Sequence, residues 1–493
     1  MQKKTLLILL GLLASGMSNI AHSANWLMIK GTEPAKVKHR FFGVAAVTYA
    51  NNLGCDRLQG LAAPNGTPTG NTNAGPGLNN GKYVNSCRVG PELRDKNDGI
   101  NIDALVLGAR GNIVPQRINY LLAANFGQNA ATYKPLKTDR ERIGTLTDAS
   151  VTFSYLPGVR VRAGLFQKPG PEEMMEAFQA KDFIFPTDFV RRVQIERFIE
   201  GNAKGTNPIA GQGYAGNIST FAYDADVGRD WGIQLFDAFK SGKWTHTYAA
   251  MIGNGNGIHQ TDNNSDTDLN LYFSSEYDLP GGKGPNKHGV KLYGYHQKGV
   301  RNFIVDAAGT KSENFDRIRY GIGVQALGRF FGEQGHKHRF GMELMYAEGM
   351  VLQAATTSCT DCAYGGHIQI AAEKENKARG LTLEYGFYLN KRWQFDVRFA
   401  RNNLLYKTAN NNYWKPSDER ELDELAIGFN YHFSPKTRLT VNYVVRDNEA
   451  PNPVAPANGT AAQINNATVK TNNANIATGS VGDVLGVRLV HFF

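Results

Sequence analysis

The chain has 493 residues, 41% of them apolar and 20% charged, with a formal net charge of +10. Mean hydropathy is −0.38, and beyond residue 25 no window approaches about 18 consecutive apolar residues, which excludes a helical membrane span. A chain this polar on average still permits a membrane barrel, where only every second strand residue faces lipid.

In chain order, Lys3 and Lys4 precede an apolar stretch from Leu6 to Met17 and then the small residues of AHSA. This reads as a secretory signal peptide cut after Ser23 or Ala24, leaving residues 25–493 as one domain. Loss of Lys3 and Lys4 lowers the net charge by two, and the excess stays positive. For an exported chain, nucleic acid is not an expected partner; small anionic solutes, lipid and lipopolysaccharide head groups are. Export also favours disulfides, and the four cysteines pair by loop as Cys55–Cys87 and Cys359–Cys362. No thioredoxin-like strand and helix pattern surrounds CTDC, so a redox role is not expected.

Strand-like alternation begins at KVKHRFFGVAAVTYA and recurs to the closing GVRLVHFF. The first strand enters a long Gly/Asn-rich loop. Strands near 102–111 and 117–127 follow, and ASVTFSYL and VRVRAGLF flank a turn at Pro157 and Gly158. After the longest insertion, about 167–228, come DWGIQLFDAF with KWTHTYAAMI, LNLYFSSEYDL with HGVKLYGYHQK, and IRYGIGVQALGRF with HRFGMELMYAEGM. RGLTLEYGFYL turns through Asn390 and Lys391 into RWQFDVRFAR, LAIGFNYHF turns through SPK into TRLTVNYVVR, and a last long loop precedes the final strand.

Long and short connections alternate, and the total is about sixteen strands, an even count that brings both ends to one side. Within strands the apolar and polar faces separate cleanly: Trp393, Phe395, Val397 and Phe399 oppose Gln394, Asp396 and Arg398. Aromatics such as Trp231, Phe239, Trp244, Tyr277 and Phe433 gather at strand ends, as interfacial girdles do. The fold class is therefore all-β, a transmembrane antiparallel barrel of the bacterial outer membrane. A soluble sandwich would alternate too, but it does not require regular long and short connections or a terminal aromatic strand.

The insertion after the fifth strand is too long for a simple connection, and loops of that length usually serve function. Its entry carries Gly164, Phe166, Lys168, Pro169 and then Glu172 and Glu173, and WGIQLF and YAAMIGNGNG follow it. In these segments the chain resembles the phosphate-selective porin O and P family. The resemblance implies a homotrimeric channel of sixteen strands per subunit, with the loop folded inward as an anion-attracting constriction. PGPEE departs from the family's usual run, and the loop also carries Glu176, Asp182, Asp188, Glu196 and Glu200, which makes phosphate itself doubtful.

Candidate constriction residues are Lys168, Lys181, Arg191, Arg192 and Arg197. Strand parity adds Arg160, Arg162, Arg317, Arg319, Arg339, Arg398, Arg438 and Arg488 to the pore lining. Asp268, Glu276, Glu343, Glu384, Asp396 and Glu424 share that parity, so cross-strand pairing competes with anion selectivity.

The alternating Asp262, Asn264, Asp266 and Asp268 suggest calcium weakly, because the Gly and late Glu of an EF-hand are missing. Gly211, Gly213 and Gly216 have dinucleotide-fingerprint spacing without its strand and helix. No catalytic motif appears, and neither a cofactor nor an enzymatic activity is expected. The expected function is passive diffusion of small polar solutes with anion preference. The alternatives are a barrel that sleeves or scaffolds a partner protein, or a secreted β-rich adhesin.

Overall fold

The computed structural model describes residues 25–53, 98–127, 144–178, 180–194, 228–255, 264–282, 287–304, 312–332, 335–356, 367–371, 374–407, 421–448 and 483–493, with shorter stretches at 57–58, 84–85, 257–258, 458–461 and 463–464. Sixteen strands form one closed barrel. They are β1 (Arg40–Leu53), β2 (Asp98–Val114), β3 (Ile118–Asn125), β4 (Thr145–Leu156), β5 (Val159–Gln167), β6 (Arg229–Ser241), β7 (Trp244–Gly253) and β8 (Asp268–Asp278). The second half is β9 (Gly289–Ile304), β10 (Ser312–Gly328), β11 (Lys337–Glu348), β12 (Lys377–Tyr388), β13 (Trp393–Lys407), β14 (Glu421–Ser434), β15 (Thr437–Asn448) and β16 (Asp483–Phe492).

Every strand pairs antiparallel with its chain neighbours, and β16 returns to β1, so no ladder is left open. Phe493 completes the closure: Gly43 N–H donates to its carbonyl at 3.0 Å and its own N–H donates back to Gly43 at 3.1 Å. Tight turns gather at the rim where β1 starts and β16 ends. Gly158 turns β4 into β5 at φ 74°, a conformation glycine adopts without penalty. Asn390 Oδ1 accepts from Arg392 N at 2.7 Å and Trp393 N at 3.0 Å between β12 and β13. Two small sheets, 57–58 with 84–85 and 351–356 with 367–371, belong to connections at the opposite rim.

The period of two sorts the side chains. Leu292, Ile322 and Ile233 stand outward at 60%, 59% and 58% exposure, while Gln297, Asn430 and Glu424 turn inward and are buried. Trp244 meets Tyr277 edge-on at 5.2 Å and Trp393 lies 4.7 Å from Tyr431, on the outer face near the tight turns. An apolar outside around a polar inside inverts the arrangement of a soluble barrel and matches lipid outside and water within.

The interior is not empty. A short helix α1 (Trp26–Gly31), a single turn α2 (Glu172–Met175) and a π-helical turn (Val190–Gln194) occupy the lumen. Trp26, Met28, Met174, Met175, Phe189 and Val193 pack there against Phe236, Tyr272 and Tyr295 of the wall. The wall makes room where they approach: a Cβ on Gly380 would meet the Phe189 ring at 2.7 Å, and one on Gly486 would meet Phe185 at the same distance.

Candidate functional site

The N-terminal segment enters the lumen first. Asn25 caps α1, its Oδ1 accepting from Met28 N at 3.2 Å, and its Nδ2 donates to Thr247 Oγ1 on β7 at 2.5 Å. The far end is held by β2 and β3: Arg110 Nη2 donates to the Ile29 carbonyl at 2.6 Å and Asn119 Nδ2 to that of Gly31 at 2.8 Å. Glu33 then pairs with Arg40 at 3.1 Å and with Arg110. Lys30 donates to the Met175 carbonyl at 2.8 Å and to Gln167, which ties α1 to the constriction loop.

Within β5, Gly164 has a φ of 125° and an approach to the Ala149 carbonyl that admit no side chain, and the loop leaves the strand after Gln167. It then runs along the β8 to β15 wall and turns its carboxylates toward that wall. Glu172 accepts from the Tyr272 hydroxyl at 2.6 Å and pairs with Lys291 at 2.7 Å. Glu173 pairs with Arg398 at 3.2 Å, and Glu176 and Asp182 share Arg339, the latter at 2.7 Å. Backbone groups join in: Arg398 donates to the Phe185 carbonyl at 2.8 Å, Arg319 to that of Val193 at 2.8 Å, and Asn442 Oδ1 accepts from Ile184 N at 2.8 Å. Charge-assisted bonds of this kind hold a segment in one place more firmly than apolar contact alone.

Beneath and beside the loop lies a cavity of about 1920 Å³ that opens toward the tight-turn rim. Fifteen basic and five acidic side chains border it. On its border, Lys30 of α1 is acted on by Arg229 of β6 and by Lys181 of the loop, and Lys181 by Arg229 and by Arg488 of β16. Arg229 is matched by Asp148 at 3.1 Å and Arg488 by Asp103 at 2.7 Å. Among the described residues Lys30 and Lys181 make no ion pair. Burial, followed by the proximity of Arg229, pushes the Lys30 ammonium down to about 7. Burial also lowers Lys181, with nearby Glu173 and Glu176 opposing that shift.

Of the residues singled out in the sequence, the basic Lys181, Arg339, Arg438 and Arg488 and the acidic Glu176, Asp182 and Glu276 border this cavity. Arg317, Arg319 and Arg398 face inward but lie behind the loop, each at most 2% exposed. Arg162 is buried against Ser150 and Phe166, and Arg160 pairs with Asp237 at 3.3 Å. Lys168 is 2% exposed at the start of the loop. The side chains of Arg191 and Arg192, all of Arg197, the cysteines Cys55, Cys87, Cys359 and Cys362, Gly211, Gly213, Gly216 and Asp262 lie outside the described residues.

In the acidic outer loop, Asp266 accepts from Asn314 at 3.2 Å and Asn264 Oδ1 accepts from Asp266 N at 2.8 Å. Asp268 takes a two-pronged bond from Arg301 at 2.8 and 2.9 Å. No group of three metal-ligating side chains exists among the described residues. The sequence reading passed over Lys30, Arg110 and Arg229, together with a basic rim at Lys337, Lys391, Arg392 and Lys436. The inward parity of Arg110 in LVLGAR would have revealed that residue.

A closed sixteen-stranded barrel with an apolar exterior, a polar interior and a lumen narrowed by its own chain is a transmembrane barrel of the bacterial outer membrane. No family model matches the sequence, and no curated protein matches it. Among solved structures the chain is similar in fold to OprB of Pseudomonas putida (10% identity, TM-score 0.47, covering 97% of this chain and 100% of the other). It is similar also to an anion-selective porin from Comamonas acidovorans (12%, 0.45, 93% and 100%) and to the outer-membrane channel DcaP of Acinetobacter baumannii (10%, 0.42, 94% and 99%). These likenesses concern architecture, and nothing about solute follows from them.

Proposed function

We propose that the protein is a porin, a passive diffusion channel for small polar solutes with a preference for anions. The observation that carries this reading is the border of fifteen basic against five acidic side chains around the lumen cavity. In a narrow, low-dielectric passage such an excess raises the local concentration of anions and lowers that of cations. Lys30 and Lys181 add charge that no carboxylate meets in a direct ion pair among the described residues, although Asp148 lies near the first and Glu173 and Glu176 near the second.

The same reading carries the export signal at residues 1–24, the trimeric assembly, contact with lipopolysaccharide and kinship with the phosphate-selective family as proposals. Kinship rests on the Gly164, Phe166, Lys168 and Pro169 motif. The loop carboxylates neutralise much of the wall, which favours a general anion preference over a phosphate site. A sleeve for a partner protein fits less well, because the chain's own α1 and loop already occupy the lumen.

Planar-bilayer recording of the detergent-purified protein under a salt gradient tests the proposal. Stepwise conductance with an anion-favouring reversal potential is expected. A folded, heat-modifiable protein that gives no steps would overturn the channel reading in favour of a plugged or partner-filled barrel.

A further inference from the structure

The carboxylates of the constriction loop pair with the β8 to β15 wall, and Phe178 and Lys181 border the cavity together with Glu176, Asp182 and Phe185 of the same loop. Beside Phe185, Phe178 is the loop's other aromatic side chain on that border. It packs on Val44, Ala46, Ala104 and Val490 of β1, β2 and β16, and it stays partly exposed to the cavity. The Arg488 guanidinium lies 4.7 Å from the centre of its ring. Two further contacts fix that guanidinium: Nε donates to Thr48 Oγ1 at 2.8 Å and Nη2 to Asp103 at 2.7 Å. Nη1 makes no hydrogen bond among the described residues. Lys181 follows Phe178 by three positions and acts electrostatically on Arg488.

An exposed aromatic edge, with an oriented guanidinium over the ring and an ammonium nearby, suits a particular kind of anion. A carboxylate can accept from Arg488 Nη1 and Lys181 Nζ while a flat apolar body attached to it meets the exposed edge of Phe178. A fully hydrated tetrahedral anion gains only the first half of this. It would have to surrender water to an apolar face that returns no hydrogen bonds. A strongly hydroxylated organic anion meets the same obstacle.

We infer that Phe178, Arg488 and Lys181 form a weak subsite in the passage that favours carboxylates carrying a flat apolar ring over hydroxylated carboxylates of the same size. This inference rests on the anion-channel reading and adds the class of solute. Weak binding is what transport needs, since the site must fill from one side and empty to the other. The Asp103 carboxylate assists by holding the guanidinium flat and by offsetting part of its charge, which keeps occupancy short.

The test compares benzoate with shikimate, a ring carboxylate bearing three hydroxyl groups. Bi-ionic reversal potentials in planar bilayers give the permeability of each potassium salt relative to chloride. Expected for the unaltered protein is a benzoate-to-shikimate ratio about threefold or more above the ratio of their free mobilities. Phe178→Ser should bring the ratio down to the mobility ratio while leaving chloride-over-potassium selectivity in place. Phe178→Leu, which keeps the packing on Val44 and Val490, should retain part of the preference and shows that the barrel is intact.

A ratio already equal to the mobility ratio in the unaltered protein, or one unmoved by Phe178→Ser, overturns this inference and leaves the anion channel standing. A pore that prefers potassium over chloride overturns both. The chloride measurement therefore separates the two failures.

Discussion

Arg398 on β13 and Glu173 on the constriction loop form an ion pair across the seam between wall and loop, Nη1 to Oε1 at 3.2 Å, with 2% of the arginine side chain exposed. The same guanidinium donates to the Phe185 carbonyl at 2.8 Å, twelve positions further along the loop. One wall residue thus fixes two points of the loop. Arg398→Ala would leave Glu173 without its cation and remove both anchors, a change that typically costs about 3 kcal/mol at a buried pair. The expected outcome is a lower unfolding temperature in detergent, and a larger, noisier single-channel current as the loop leaves the wall. An unchanged current would mean that Arg339 and Arg319 hold the loop without it.

Lys181 is the cation through which the loop itself speaks to the passage, because Glu173, Glu176 and Asp182 are engaged with Arg398 and Arg339. Lys181→Glu replaces a positive by a negative charge at the narrow part and should shift the reversal potential toward cations without loss of folded trimer or monomer on a heat-modification gel. The double variant Arg191→Glu with Arg192→Glu should act in the same direction if that basic run also faces the passage. A shift in the double variant alone would place the selective charge farther along the loop than Lys181.

The barrel was legible because a lipid-facing strand must alternate, and runs such as Trp393 to Phe399 do so without interruption. Parity alone also assigned Arg317, Arg319 and Arg398 to the inner face. It could not show that the loop would lie over them, because that depends on Glu173 and the Val193 and Phe185 carbonyls reaching the wall from far away in sequence. Lys30 was invisible for a related reason. WLMIKG is only six residues long and has no periodicity, and its helix exists because Asn25 caps it and Thr247, Asn119 and Arg110 receive its ends.

Lys30 also gives the passage a dependence on pH. Burial beside Arg229 pushes its ammonium down to about 7, so it is charged below that value and neutral above it. Positive charge at the narrow part therefore increases as the solution is acidified, and anion preference should rise as pH falls from about 8 to about 6. Lys30→Gln should flatten that part of the profile at the low-preference end. Lys30→Arg, charged throughout, should remove the share of the response due to Lys30 and leave only that of Glu176, which borders the same cavity and is pushed up to about 7 by burial. Profiles for both variants that match the unaltered protein would assign the pH response to Glu176 instead.

The N-terminal segment narrows the lumen without belonging to the barrel ladder, so it can be removed while every strand keeps its partners. Trp26 and Met28 are 3% and 2% exposed in the cluster that also holds Met174, Met175 and Phe189 of the loop. Removing residues 25–31 should leave a protein that still migrates as a folded barrel, since no strand-to-strand hydrogen bond is lost. Its conductance should rise, because the volume of α1 is returned to water and the Lys30 bonds to Met175 and Gln167 no longer restrain the loop. Trp26→Ala isolates the packing part of this effect. It opens a cavity at the junction of α1 with Phe236 and should cost about 3 kcal/mol while leaving Lys30 in place. A deletion that conducts like the unaltered protein would show that the loop alone sets the width. A deletion that conducts more, beside a Trp26→Ala variant with unchanged mean current, would show that α1 obstructs the passage by its presence and not by bracing the loop.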